Sequence, residues 1–328
     1  MSTFLLSRLL SASWIALLLT GCGGVRQSQG EVPPIGTSGA TQRSSPAAAS
    51  GNLLYATSTD HAHLYVMTYP KVKLTYTIDG FSPAALRGIC SDADGNVYVT
   101  DLGSLPSHTQ SHVYVYAHGA TTPSRVLSAP PGITNCAVDQ GSGDLAVITE
   151  ENVPSLAIYH NASGSPTLYN GGNYTHCTYD DDGDLYLAAP VFDGGFPLTV
   201  FADGKFTNVT LDQRLPFAAD VQWNNGMLVF TTKARGKQQI VYWIKFSSAT
   251  VGHVEQAFTL KRRRNALPRF GVPDVVVGNT VVATGIHRGQ LDFWNYPRGG
   301  EPKRAVTEPI EAYFFGLAIS PGGSRPSP

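Results

Sequence analysis

Charge is scarce in this chain. Lys, Arg, Asp and Glu together make up 14% of its 328 residues, 23 basic against 24 acidic, for a net charge of −1. A balance this even sets up no field for a polyanion, so nucleic acid is not expected as a partner. Cysteine is scarce too, at four residues. No Cys-x-x-Cys pair and no His cluster stands beside one, which leaves zinc without support. No Gly-x-Ser-x-Gly elbow, phosphate loop or His-Glu-x-x-His pair occurs. No long segment carries a helical apolar period. What is abundant is Gly, at 34 residues, and Pro, at 22, the punctuation of a chain that turns often.

The stretch "GICSDADGNVYVTD", Gly88 to Asp101, contains Asp92-Ala93-Asp94-Gly95-Asn96, the start of a calcium loop on paper. An EF-hand needs a bidentate Glu at its twelfth position, and counting from Asp92 that position is Gly103. The following "VYVTD" alternates like a strand. Asp, Gly and Asn tolerate the positive φ of a hairpin, so a turn between strands is expected.

The turn recurs. "NCAVDQGSGDLAVITE", "HCTYDDDGDLYLAA", "DVQWNNGMLVFTT", "DVVVGNTVVATG" and "GLAISPGG" follow the same strand-turn plan. Their turn glycines are Gly95, Gly143, Gly183, Gly226, Gly278 and Gly322, spaced in the forties and low fifties. Third and fourth strands repeat between them, with Tyr116, Tyr159, Phe201 and Trp294 expected in the layers between units. Four short strands at this period predict an all-β, six-bladed β-propeller with four-stranded antiparallel blades. "GNLLYATS" from Gly51 lacks an inner strand ahead of it, and "FFGLAISPGG" has nothing after it. The two are expected to complete one blade, shared between the N- and C-terminal strands, which closes the ring.

The ends read differently. Residues 1–22 hold Arg8, an apolar core from Leu9 to Leu19, and Leu19-Thr20-Gly21-Cys22. The apolar core is short for a membrane span and fits an export signal. Its end resembles the bacterial lipobox, which implies cleavage before Cys22 and acylation of that residue. Gly23 after it implies an outer-membrane lipoprotein of the bacterial cell envelope. Residues 23–50 are Gly-, Ser-, Pro- and Ala-rich and are expected to form a flexible tether. The propeller is expected over 51–323, with a disordered tail at 324–328.

On these repeats the chain resembles NHL-repeat propellers and the six-bladed SMP-30/gluconolactonase and streptogramin-lyase propellers. "DVQWNNGMLVF", "FWNYPRGGEPKRAV" and "FFGLAIS" are similar to stretches of secreted bacterial propeller lipoproteins. The resemblance covers Gly51 to Gly323 and speaks to fold more than to function. It implies a functional face carrying the connections into the innermost strands. There lie the candidate channel-mouth residues Arg87, Asn135, His176, Asp220 and Asp274, with Gly316 at the closing strand. The second-to-third-strand connections add Asp60, His61, His63, Asp101, Glu150, Asp193 and His287. A lactonase-like metal set takes a Glu, two Asn-type ligands and an Asp. Asn135, Asp220 and Asp274 supply part of it, without a Glu at an inner-strand start, and Glu311 is a poor substitute. A lyase-like base would be His176 or His287.

Cys136 and Cys177 share one inner-strand position, while Cys90 is one step over and faces the other way. A Cys136–Cys177 bridge and buried free thiols both stand open. The basic run Lys261 to Arg264 reads as a solvated loop or a contact to an anionic glycan or lipid headgroup. The expectation is an exported, lipid-anchored, monomeric propeller that binds a protein, glycan or small-molecule partner without catalysis, with no cofactor. The alternative is a metal-dependent hydrolase or lyase using a divalent ion such as calcium.

Overall fold

The computed structural model describes residues 51–58, 60–82, 85–103, 110–149, 155–189, 198–216, 218–232, 238–261, 274–285 and 287–323. Cys22, the tether, Glu150, Asp193, residues 262–264 and the tail lie outside the described residues.

Strands are numbered along the chain. Leu53–Ser58 (β1), His63–Thr68 (β2) and Leu74–Ile78 (β3) form one sheet with Gly316–Ser320 (β25), in the order β25-β1-β2-β3. Leu86–Ser91 (β4), Val97–Asp101 (β5), His112–Tyr116 (β6) and Arg125–Ser128 (β7) form the next. Ile133–Val138 (β8), Leu145–Thr149 (β9), Leu156–Tyr159 (β10) and Thr167–Tyr169 (β11) form the third. His176–Tyr179 (β12), Leu185–Ala188 (β13), Leu198–Ala202 (β14) and Lys205–Asn208 (β15) form the fourth. Thr210–Leu211 (β16) is a two-residue strand. Two further antiparallel runs follow. One is Ala218–Asn224 (β17), Met227–Thr232 (β18), Gln238–Ser248 (β19) and Val251–Lys261 (β20). The other is Asp274–Val277 (β21), Thr280–Thr284 (β22), Gln290–Asn295 (β23) and Gly299–Thr307 (β24).

The last two runs are joined into a nine-stranded sheet, which the repeat pattern did not anticipate. Their outer strands β20 and β24 meet at Leu260 and Gly300, and β16 pairs with β20. The reason is length and a missing side chain. β19 and β20 run to 11 residues each. A Cβ on Gly299 would lie 2.5 Å from the Thr259 carbonyl oxygen, so only glycine lets the two outer strands touch.

The first strands of the runs pack in the cyclic order β4, β8, β12, β17, β21, β25 and back to β4. Four-stranded antiparallel sheets arranged this way make a β-propeller. Closure is by the shared sheet: β25 pairs with β1 from Leu53 opposite Ser320 to Thr57 opposite Gly316. The Asn52 side-chain oxygen accepts the Gly322 N–H at 2.9 Å. Gly322 itself lies against Gly51, whose carbonyl carbon would sit 2.4 Å from an added Cβ.

Burial follows distance from the axis. β1, β5, β9, β10 and β13 are buried along their whole length, because neighbouring sheets cover both faces. The outer strands β7, β11 and β15 are mostly exposed. Apolar layers fill the space between sheets, such as Tyr98, Val113 and Val115 with Val147, Ala157 and Tyr159. Tyr116, Tyr159 and Trp294 are fully buried in such layers, and Phe201 is buried too. Tyr159 Oη donates to the Ser128 carbonyl at 2.8 Å, tying one sheet to its neighbour, and Trp294 Nε1–H to that of Lys261 at 3.3 Å, tying the last two runs together.

The opening "DADGN" is a turn. Asp92 accepts the Asn96 N–H at 2.8 Å, the Asn96 side-chain amide at 2.7 Å and the Tyr98 hydroxyl at 3.0 Å. Gly95 has φ +87° and donates its N–H to the Asp92 carbonyl at 3.2 Å. The carboxylate closes its own loop.

Candidate functional site: the axial channel

The inner strands β4, β8, β12, β17, β21 and β25 line a cavity of about 900 Å³. Asn135, His176, Asp220, Asp274 and Gly316 are among its lining residues. Arg87 and His287 are not.

β-Bulges set the upper wall. The register shifts between Leu86 and Ile89 in β4, between Ile133 and Asn135 in β8, and between Ala218 and Asp220 in β17. An extra residue at the start of a strand re-aims the side chain after it. Asn135 and Asp220 both follow such a shift and are half-buried in the channel wall.

Asp220 Oδ1 accepts the Val221 N–H at 2.8 Å, and Oδ2 accepts the Asp274 N–H at 3.3 Å from the neighbouring sheet. Packing around the carboxyl pushes its pKa up to about 8, with the charge of Asp274 adding to the rise and the two N–H donors opposing it. Asp274 is buried, and its Oδ2 accepts a bond from Gln239 Nε2 at 3.0 Å. One turn of strand further, Gln222 brackets Val276, donating to its carbonyl at 3.1 Å and accepting its N–H at 2.7 Å. His176 Nδ1 lies 3.0 Å from Thr175 Oγ1. The Cys177 thiol donates to Asn135 Oδ1 at 3.8 Å, and burial, with Asp220 as the second cause, raises its pKa far above the ordinary range. It is an inert thiol as placed.

Arg87 is drawn aside. Its guanidinium sits 5.4 Å from the Phe315 ring centroid and reaches the Leu86 carbonyl at 3.4 Å. His287 is exposed in the β22–β23 connection, where its N–H donates to Gln290 Oε1 at 3.3 Å. The other loop candidates hold the rim together. Asp60 accepts from Ser58 Oγ and from the Tyr313 N–H at 3.5 Å. His61 Nε2 is 2.8 Å from the Glu311 carbonyl, and His63 Nδ1 is 2.6 Å from Asp79 Oδ1. Asp101 is buried and accepts the Gly103 N–H at 2.8 Å; burial raises its pKa, while that N–H and His112 oppose the rise. Asp60, His61, His63 and Asp101 do not line the cavity.

Three oxygen-bearing candidates for a lactonase-like ion, Asn135, Asp220 and Asp274, therefore share one channel. Among the described residues no group of three or more His, Cys, Asp and Glu is placed to hold a metal ion. The Glu311 side chain is 89% exposed and lies 3.9 Å from Arg288, so it completes no such set.

The cysteine expectation is corrected. The disulfide joins Cys90 to Cys136, with Cα atoms 5.8 Å apart, and Cys177 is a buried free thiol. The reason is the parity that sequence alignment already exposed. On one inner strand, alternate residues face the preceding and the following sheet. Cys136 and Cys177 occupy the same position, so both face the same way round the ring. Cys90, one step over, faces the opposite way, and on adjacent strands opposite means toward each other. Sequence reasoning also missed Phe315, Thr134 and Gln222 on the channel wall. Phe315 carried a signal, as a second aromatic directly before the closing strand; a Thr and a Gln inside strands carried none.

No protein-family model matches the chain, and no curated protein matches it. Solved structures do. A chain of a nidogen/laminin complex superposes with a TM-score of 0.61 at 12% identity, over 82% of this chain and 98% of that one. A Myceliophteria thermophila Cps50 (Swd1) beta-propeller domain superposes at 0.52 and 10% identity, over 79% and 84%. The likeness at this identity is one of fold: the chain is a β-propeller.

Proposed function

We propose that the protein is a six-bladed, NHL-like propeller lipoprotein of the bacterial cell envelope, anchored as a monomer through Cys22 and acting as a binding module without catalysis. The observation that carries the binding reading is the channel wall. It is broad enough for a small ligand and is lined by polar groups from several sheets, yet those groups bond chiefly to neighbouring strands. Asp220 accepts from Asp274, Gln222 brackets Val276 and Cys177 donates to Asn135. Such bonds hold a rigid, shaped receptor. The nidogen/laminin complex offers a precedent in this fold for association with a protein.

Two measurements test the reading. The purified full chain is analysed for bound metal and screened against lactone and ester substrates. Turnover that needs a divalent ion and is lost in Asp220→Asn would replace the binding module with the metal-dependent hydrolase. Separately, Cys22→Ser should abolish palmitate labelling and release the protein from membranes; continued labelling removes the lipid anchor.

A further inference from the structure

The walls of the channel differ in chemistry. In the cyclic order of the inner strands, β8 stands opposite β21, three places away in either direction. β17 and β21 bring Asp220 and Asp274 to one side. β8 brings Thr134 and Asn135 to the other. Asp220 faces solvent in part, and its two hydrogen bonds come from neutral backbone N–H groups. No ion pair among the described residues involves it. Thr134 is 8% exposed, and its hydroxyl has no hydrogen-bond partner among the described residues. Between the two walls stands Phe315, 38% exposed, one of three large apolar side chains that are exposed among the described residues, with the Arg87 guanidinium 5.4 Å from its ring centroid.

These groups share a preference. The carboxylates and the Asn135 amide oxygen accept hydrogen bonds. An ammonium group donates three and accepts none. Its charge is offset by a carboxylate in a site of reduced dielectric. We propose that the channel binds a small organic ammonium compound, with its cationic head on Asp220 beside Asp274 and its far end toward Asn135. The inference rests on the binding-module reading and names the ligand class for that same site.

Binding is coupled to a proton. Burial, with Asp274 as the second cause, raises the Asp220 pKa to about 8, which favours the protonated carboxyl at neutral pH. Asp274 faces it from β21, and Cys177 and His176 stand on β12 on its other side. The Cys177 thiol stays protonated throughout. An arriving cation favours the ionised carboxylate, so the Asp220 proton leaves to solvent as the ligand enters.

The test is calorimetric titration of the full chain with butane-1,4-diamine and, as the uncharged analogue, butane-1,4-diol. Two buffers of different ionisation enthalpy measure the proton. The expected result is saturable diamine binding with proton release, tighter at about pH 8 than at about pH 6, and no diol binding. Asp220→Asn should weaken the diamine at least about tenfold. If that variant fails to fold, the pH and diol arms on the parent still decide. Diol binding equal to diamine binding overturns the ammonium inference and leaves the binding module standing. Undiminished diamine binding in a folded Asp220→Asn variant overturns the placement. No diamine binding at any pH overturns the inference, while the module reading remains subject to its own metal and hydrolysis tests.

Discussion

Asp220 makes the stability of the channel depend on pH. In the unfolded chain its pKa is that of an ordinary aspartate, about 3.9. In the folded protein it is about 8. Between those values the folded protein holds a proton that the unfolded chain has lost, so stability falls as pH rises across the window. The loss is absent below about pH 4 and complete above about pH 8. Solvent in the channel screens the charge, which brings the effect to roughly 1–3 kcal/mol. Melting temperatures of the parent and of Asp220→Asn, compared from about pH 5 to about pH 8, should diverge, with the variant the more stable at the upper end. Parallel curves would mean that Asp220 ionises normally.

A second residue-scale prediction separates the carboxylates of the first turn. Asp92 receives three hydrogen bonds, so Asp92→Ala should destabilise by about 1–3 kcal/mol. Asp94→Asn should shift stability by less than about 1 kcal/mol, because Asn tolerates turn geometry. Gly95→Val should be strained on two counts. Its φ is +87°, and an added Cβ would lie 2.9 Å from the Pro321 carbonyl oxygen. Chemical denaturation of the three variants checks the order, and a calcium-dependent rise in parent stability that Asp94→Asn removes would restore the metal loop.

Among the elements, four of the six joints between inner strands each have their own device. β4 meets β25 through Ser91 Oγ, which donates to the Ile319 carbonyl at 2.8 Å. β4 meets β8 through the Cys90–Cys136 disulfide. β12 meets β17 where Thr178 Oγ1 accepts the Trp223 N–H at 3.0 Å, and β17 meets β21 through Gln222. The covalent joint spans 46 residues of chain. Removing it by Cys90→Ser with Cys136→Ser should destabilise by about 2–4 kcal/mol. Cys177→Ser should leave the bridge intact. Peptide mapping without reductant should find Cys90 joined to Cys136 and Cys177 alkylated only after unfolding. A Cys136–Cys177 peptide would reverse the assignment.

At the scale of the molecule, the ring depends on its last strand. β25 is paired with β1 and packs against both β4 and β21. Deleting Phe314 to Gly323 exposes the β1 edge and uncovers Leu54, Ala56, Val275 and Leu291, which share an apolar layer with Phe314 and Leu317. The truncated protein should aggregate or melt far below the parent. An unchanged melting temperature would show that the shared sheet does not close the ring.

Local chemistry is what the sequence determined alone. A Gly turn after an apolar run dictates a hairpin wherever it stands, so the strands, the turns at Gly95, Gly143 and Gly183, and the shared closing sheet were legible from spacing. Recurrence at corresponding places in the repeat likewise marked Tyr116, Tyr159, Phe201 and Trp294 as interior. Position round the ring is a different quantity. It depends on which strand lies next to each side chain, and periodicity does not contain that. Tertiary packing therefore decided that Cys90 rather than Cys177 meets Cys136. It drew Arg87 out onto Phe315 and left His287 outside the channel. It also set Asp220 beside Asp274, where the loss of water and a neighbouring charge move a proton that no single strand could have moved.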